Sequence, residues 1–255
     1  LFSSKYLNIT LIWNEGIAFG IFSFEEKILG IPMLAHCYER ALLSGTCDTL
    51  IIATPDQEII DWGGSHGIPT MFTSHEHQRA TERAKEALDS LASQGKEYDF
   101  ILLLQGDEPQ IFPKDIQNLK NAFSEKEFEV VNLIFPIEGD DLLNQNVVKA
   151  VIDNNLNINF FTRSHVPHNS SDALRQLGMI GFTKAALQEY TKLLSTPLEE
   201  LESIDMMRLL ENDLPIKGVP SSSPILGVDN PEDIHKAEQM MMRDELIDLY
   251  KEKYK

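Results

Sequence analysis

An apolar run at residues 101–104, "ILLL", leads straight into Gln105-Gly106-Asp107-Glu108-Pro109. Carboxylates are almost never fully buried without partners, so a core strand that ends on two of them is presenting its tip to a ligand or closing a turn. Asp229, in "GVDNPED", offers the same choice between a ligand and the entry of a helix. His75 and His77, one residue apart in "SHEHQ", have the type of metal ligands, but the surrounding polar loop reads as solvated rather than as a zinc site. No Ser/His/Asp arrangement is motivated by spacing, and no Gly-x-Gly-x-x-Gly occurs.

The elements that must position these groups alternate. "NITLIW" (8–13) reads as a strand, "IPMLAHCYERALL" (31–43) as a helix that Pro32 can start, "DTLIIAT" (48–54) as a strand and "QEIIDWGGSHG" (57–67) as a helix closing on glycine. "PTMFT" (69–73) is a short strand, "TERAKEALDSLAS" (81–93) a helix, the run into Asp107 a strand, and "PKDIQNLKNAF" (113–123) a helix. Strand and helix in alternation predict a parallel sheet with helices on both faces, and in such sheets ligands bind outside the carboxyl ends of the strands. Asp107 falls at such an end. After residue 125 the texture changes: "EFEVVNLIFPI", "NVVKAVID" and "NINFFTR" predict closely spaced strands, a meander or an extra sheet beside the first. "TKAALQEYTKLL" and "PLEELESIDMMRLLE" return to helix, "LPIKGV" is a late strand, and "VDNPEDIHKAEQMMMRDELIDLYKEK" predicts one long final helix capped by Asn230 with Pro231 in its first turn.

Composition bounds the partners. With 255 residues the chain can bury a sizeable core as a single domain. A formal charge of −18 argues against nucleic acid or an anionic membrane surface as main partner, though it leaves room for a small anion bound locally. No apolar run reaches membrane-spanning length, no secretory signal is recognisable, and Cys37 and Cys47 suggest reduced thiols in the cytoplasm.

Six pieces in order, "PMLAHCYERALLSG", "TSHEHQRATERAKEAL", "QGDEPQI", "NVVKAV", "FTRSHVP" and "GVDNPEDI", resemble the 3-deoxy-manno-octulosonate (Kdo) cytidylyltransferases from about residue 8 to about residue 240. The resemblance implies a doubly wound, mostly parallel α/β domain with a β-rich dimerisation insertion at 125–180, hence a homodimer. It also implies a reaction in which CTP activates Kdo or a related acidic sugar, giving the CMP-sugar and pyrophosphate for lipopolysaccharide synthesis. By that likeness Asp107 and Asp229 are catalytic and hold Mg²⁺, which takes carboxylate and phosphate oxygens. Gln105, Gly106, Thr81, Arg83 and Gly16 fall on nucleotide-binding positions, and Arg163, Gln176 and Asp205 on sugar-binding ones. Lys149 matches a family lysine whose alternative reading is a plain strand-surface residue.

The likeness weakens at the family's basic loop. In residues 12–33, "IWNEGIAFGIFSFEEKILGIPM", the family's arginines fall on Asn14 and Phe19 and its lysine on Ser23, with Glu15 adding negative charge and Lys27 the one base. Losing cationic partners of a triphosphate costs about 1.5–3 kcal/mol per charged hydrogen bond. The family's Ser-Gly before Thr-Glu-Arg is Arg79-Ala80, its His is Gln176, and its Glu-Gln pair is Asp205-Met206. Two expectations follow: an active cytidylyltransferase that finds its cations elsewhere, or a catalytically impaired relative that binds nucleotide or sugar, or regulates.

Overall fold

The computed structural model describes residues 7–12, 26–124, 128–228 and 230–255. Gly16, the Asn14–Ser23 stretch and Asp229 therefore lie outside the described residues.

Four strands form the parallel half of one nine-stranded sheet: β1 (Leu7–Ile12), β4 (Thr49–Thr54), β5 (Thr70–Phe72) and β6 (Phe100–Gln105), in the order β5-β4-β1-β6. Ile12 is level with both Ala53 and Gln105, so β1, β4 and β6 finish together. A two-stranded hairpin, β2 (Lys27–Ile28) and β3 (Ile31–Pro32), precedes α1 (Met33–Leu43). Helices α2 (Gln57–His66), α3 (Ala80–Ser93) and α4 (Pro113–Ser124) follow their strands; α2 ends on Gly67, whose φ of 67° is the left-handed cap that glycine adopts without strain. Successive residues of β6 face opposite ways, and this explains its unbroken apolar run. Phe100, Leu102 and Leu104 join a core with α1 and α4, while Ile101 and Leu103 join a second core with α3. The doubly wound α/β expectation is met.

The sheet as a whole is not the mostly parallel one expected, because its second half is largely antiparallel. That half comprises β7 (Val130–Glu138), β8 (Lys149–Ile152), β9 (Asn157–Thr162), β10 (Asp172–Thr183) and β11 (Ile216–Pro220). Beyond the first four strands, the parallel pairing is that of β7 with β11; β10 lies antiparallel between β6 and β7, and also meets β8. The meander does not form a separate sheet, because β8 and β9 continue the main one through β11. The pairings β7–β11–β9–β8–β10–β7 close on themselves, so these strands satisfy one another's edges.

Short helices α5 (Lys184–Tyr190), α6 (Pro197–Glu202) and α7 (Met207–Leu210) cover this half. The single helix expected over 197–211 is broken because Ser203 adopts a left-handed φ of 55°. The long final helix is likewise corrected. Helix α8 spans Pro231–Met241, with Asn230 capping it as expected, and then the chain turns into short 3₁₀ segments at Glu245–Leu249 and Lys251–Tyr254. Asp244 causes the turn: it accepts the Leu246 N–H and pairs with Arg40 of α1 at 2.5 Å, drawing the terminus onto that helix. There Tyr250 bonds His36 Nδ1 at 2.8 Å, while His36 Nε2 donates to Ile28 O at 2.9 Å. Burial lowers the His36 pKa to about 4, so the ring is neutral and accepts from Tyr250. No helix among the described residues is long and apolar enough to cross a membrane.

Candidate active site

The carboxyl end of β6 becomes the floor of a cleft of about 870 Å³. Gln105 is the last strand residue, and Gly106-Asp107 make the turn. Cys37 Sγ donates to Gly106 O at 3.3 Å from beneath. The Val228 N–H donates to Asp107 O at 2.9 Å, so the chain that leads into Asp229 is tied to the Asp107 turn. The described chain thus reaches the Asp107 turn at Val228, and Asp229 itself lies outside the described residues.

Of the expected site residues, Arg83, Gln105, Asp107, Arg163, Gln176 and Asp205 all line this cleft. Thr81 stands one layer back and donates to Asp205 Oδ2 at 2.7 Å. Burial raises the Asp205 pKa against the opposing Thr81 hydrogen bond and the nearby Arg79 charge. Gln176 Nε2 donates to Asn132 Oδ1 at 2.6 Å.

The arginines differ in how far the protein itself engages them. Arg83, buried on α3, donates Nη1 to Thr73 Oγ1 at 2.6 Å and to Ser74 O at 2.9 Å, so it supports the loop that forms one lip. Burial lowers its pKa from the usual arginine value. Arg163 bonds Glu202 through its backbone N–H at 3.0 Å, donates Nε to Glu202 O at 3.0 Å and Nη1 to Gln145 O at 3.0 Å. Lys149 is no surface residue: fully buried on β8, it donates Nζ to Asn144 O and to Arg163 O at 3.2 Å. Burial lowers its pKa, Asp141 opposes that, and the Arg163 and Arg175 charges add to the lowering. It therefore fastens the 144–146 loop and Arg163 in place.

Sequence reasoning missed three contributors. Arg175 on β10 lines the cleft, donates Nη1 to Ile225 O at 3.3 Å, and keeps its buried Nε without a hydrogen-bond partner among the described residues. Glu108 accepts the Gly178 N–H at 2.7 Å. Glu199 and Arg208 form a buried fork, with Nε and Nη2 each 2.7 Å from a carboxylate oxygen and the guanidinium stacked 4.4 Å from the Tyr190 ring centre. Glu199 also reaches Arg79 Nε at 3.3 Å. None of these pairs lies within one sequence motif, but "LEELE" followed by an arginine nine residues after Glu199 was an available signal. The solvated reading holds for the exposed His75. Both histidines border the cleft, and His77 donates Nε2 to Glu86 at 2.5 Å.

Chemically, the cleft sets a main-chain turn and an acid at one end against guanidinium groups on strands of the other half. That suits a ligand carrying both a nucleotide and a second anionic group. A family model described as "Cytidylyltransferase" matches residues 26–217. The mitochondrial 3-deoxy-manno-octulosonate cytidylyltransferase of Arabidopsis thaliana is 33% identical over 230 residues, 86% of this chain and 78% of that protein. The 8-amino-3,8-dideoxy-manno-octulosonate cytidylyltransferase of Shewanella putrefaciens is 35% identical over 221 residues, 84% of this chain and 89% of that protein. Among solved structures, a CMP:2-keto-3-deoxy-manno-octonic acid synthetase complexed with CTP aligns with a TM-score of 0.82 and 25% identity, over 95% of this chain and 100% of that one. A 4-diphosphocytidyl-2C-methyl-D-erythritol synthase from Anaerococcus prevotii shares the fold, with a TM-score of 0.64 and 15% identity over 94% of this chain and 100% of that one.

Proposed function

The chain belongs to the cytidylyltransferase family, and from that premise we propose that it transfers CMP from CTP to Kdo or its 8-amino analogue, with release of pyrophosphate. A sugar hydroxyl oxygen forms the new bond to the α-phosphorus, the bond from that phosphorus to the β-phosphate bridging oxygen breaks, and the hydroxyl proton is lost. The observation that carries this reading is the cleft itself, where the Gln105–Asp107 turn meets Arg163 and Arg175 from the other half of the sheet.

Each residue then has a task. The Gln105-Gly106 backbone lets the nucleotide come close, and Asp107, with Asp229 beside Val228, supplies hard oxygen donors that fit Mg²⁺. That ion, when bound, offsets charge on the phosphate oxygens. Arg163 and Arg175 face the carboxylate of the acidic sugar, and Asp205, held from behind by Thr81, offers a hydrogen-bonding carboxyl to its hydroxyls. Arg79 and Arg83 bring positive charge to the cleft of a chain whose 12–27 sequence lacks the family's cations. Assembly as a homodimer through residues 125–180 belongs to the same reading; sedimentation at micromolar concentration checks it, and a strict monomer counts against it.

A pyrophosphate-release screen with Mg²⁺, crossing the four nucleoside triphosphates with Kdo and its 8-amino analogue, tests the activity. Release with CTP and either sugar is expected. Binding of CTP or sugar without release would instead identify the impaired, ligand-binding relative.

A further inference from the structure

Strand β10 does not run straight past the cleft. Between Gln176 and Ile180 its register with β7 slips, and the backbone groups freed by the slip are taken up by side chains. Asn132, fully buried on β7, donates Nδ2 to Leu177 O at 2.9 Å and to Met179 O at 3.3 Å, while its Oδ1 accepts from Gln176. From the β6 side Glu108, only 4% exposed, accepts the Gly178 N–H at 2.7 Å. Gly178 itself leaves room for Gln105, because a Cβ there would stand 2.7 Å from Gln105 Oε1 and 2.9 Å from its Cδ.

Bulges re-aim side chains beside functional sites, and a buried N–H or C=O held by a side chain has no second partner if that side chain is removed. Arg175 and Gln176, at the start of the bulge, line the cleft, and on the β6 side Gln105, Asp107 and Glu108 itself line it too. One carboxylate therefore joins the two groups of cleft residues. We propose that Glu108 and Asn132 are positioning residues that clamp the β10 bulge and fix the spacing between the sugar-facing Arg175 and Gln176 and the nucleotide-facing Gln105 and Asp107. The ligand names rest on the function proposed above; the clamp does not.

The test compares Glu108→Ala, Glu108→Gln and Asn132→Leu in the full chain. Glutamine keeps an acceptor oxygen for Gly178 and removes the charge, so it separates the hydrogen bond from electrostatics. Without any ligand, amide exchange of residues 176–180 is expected to be at least about tenfold faster in Glu108→Ala and Asn132→Leu, the loss of one buried bond, and slow in Glu108→Gln. In turnover, Glu108→Ala is expected to raise the sugar KM at least about tenfold with little change in the CTP KM, and Glu108→Gln to recover most of that loss. Wild-type exchange rates in Glu108→Ala, or equal loss in the alanine and glutamine variants, would overturn the clamp. A loosened bulge with an unchanged sugar KM would overturn the positioning role. If the wild type releases no pyrophosphate at all, the function proposed above fails, while the exchange measurement still decides the clamp.

Discussion

On the β4–β1–β6 side, the cleft is built from main-chain geometry: strands that finish level, a Gly106-Asp107 turn, and a backbone bond from Val228 to Asp107. On the β7–β11 side the functional groups hang on buried side-chain clamps. Lys149 holds Arg163, Asn132 holds Gln176, and the Arg208–Glu199 fork reaches across to Arg79 at the start of α3. The comparison teaches that the first side resists substitutions that spare its turn, whereas the second transmits damage from residues that touch no ligand. Buried polar clamps of this kind are strong when complete and costly when one member is lost.

The largest effect that would expose the difference is at the turn. Asp107→Asn is expected to lower the rate of pyrophosphate release at least about a thousandfold, several kcal/mol of lost metal-borne stabilisation, with the melting temperature almost unchanged. Asp229→Asn should match it. Near-wild-type turnover in either variant would remove the assignment of the two side-chain carboxylates. The next largest effect falls on the other side and is structural. Arg208→Met leaves the fully buried Glu199 carboxylate with the 3.3 Å Arg79 contact alone among cations, and urea unfolding should show a loss of about 3–5 kcal/mol. A loss under about 1 kcal/mol would show that the fork is not a clamp.

Acid should act on the first side through His36. Its folded pKa of about 4 lies below the unfolded value of 6.5, so the unfolded chain takes up the proton first as pH falls. Stability from the neutral ring is complete above 6.5 and is lost as pH drops toward 4, a term of about 3 kcal/mol. The pH slope of unfolding free energy across that window should be shallower in His36→Gln than in the wild type; equal slopes would contradict the assignment. The smallest expected effect sharpens the contrast. Arg163→Ala should raise the sugar KM about tenfold to a hundredfold while leaving the CTP KM near its wild-type value, as for one charged contact to the sugar.

How much of this was legible follows the same division. The β6 run and its acids could be read directly, because a strand buried on both faces must be continuously apolar until it reaches the cleft. Cap signals worked for α8, where Asn230 accepts from both Glu232 and Asp233. The second half resisted reading for particular reasons. The sequence of β10, "DALRQLGMIGFT", carries a bulge and two glycines in place of a clean alternation, so its central place in the sheet was hidden. Apolar spacing continues through "MMMRDELIDLY", yet the chain turns at Asp244 because of a partner, Arg40, 204 residues away. Arg83 falls on a nucleotide-binding position of the family and lines the cleft, and its Nη1 also bonds Thr73 and Ser74, which no motif announces. Likeness to a family transfers residue types; it does not say which neighbour already holds a side chain.

The account stands or falls on whether this cleft takes CTP although Asn14, Phe19 and Ser23 occupy the family's cationic positions. Calorimetry of the full chain with CTP and Mg²⁺ decides it most directly. A dissociation constant in the low micromolar range or tighter is predicted, with Asp107→Asn markedly weaker. Absent binding by the folded wild type would contradict the account.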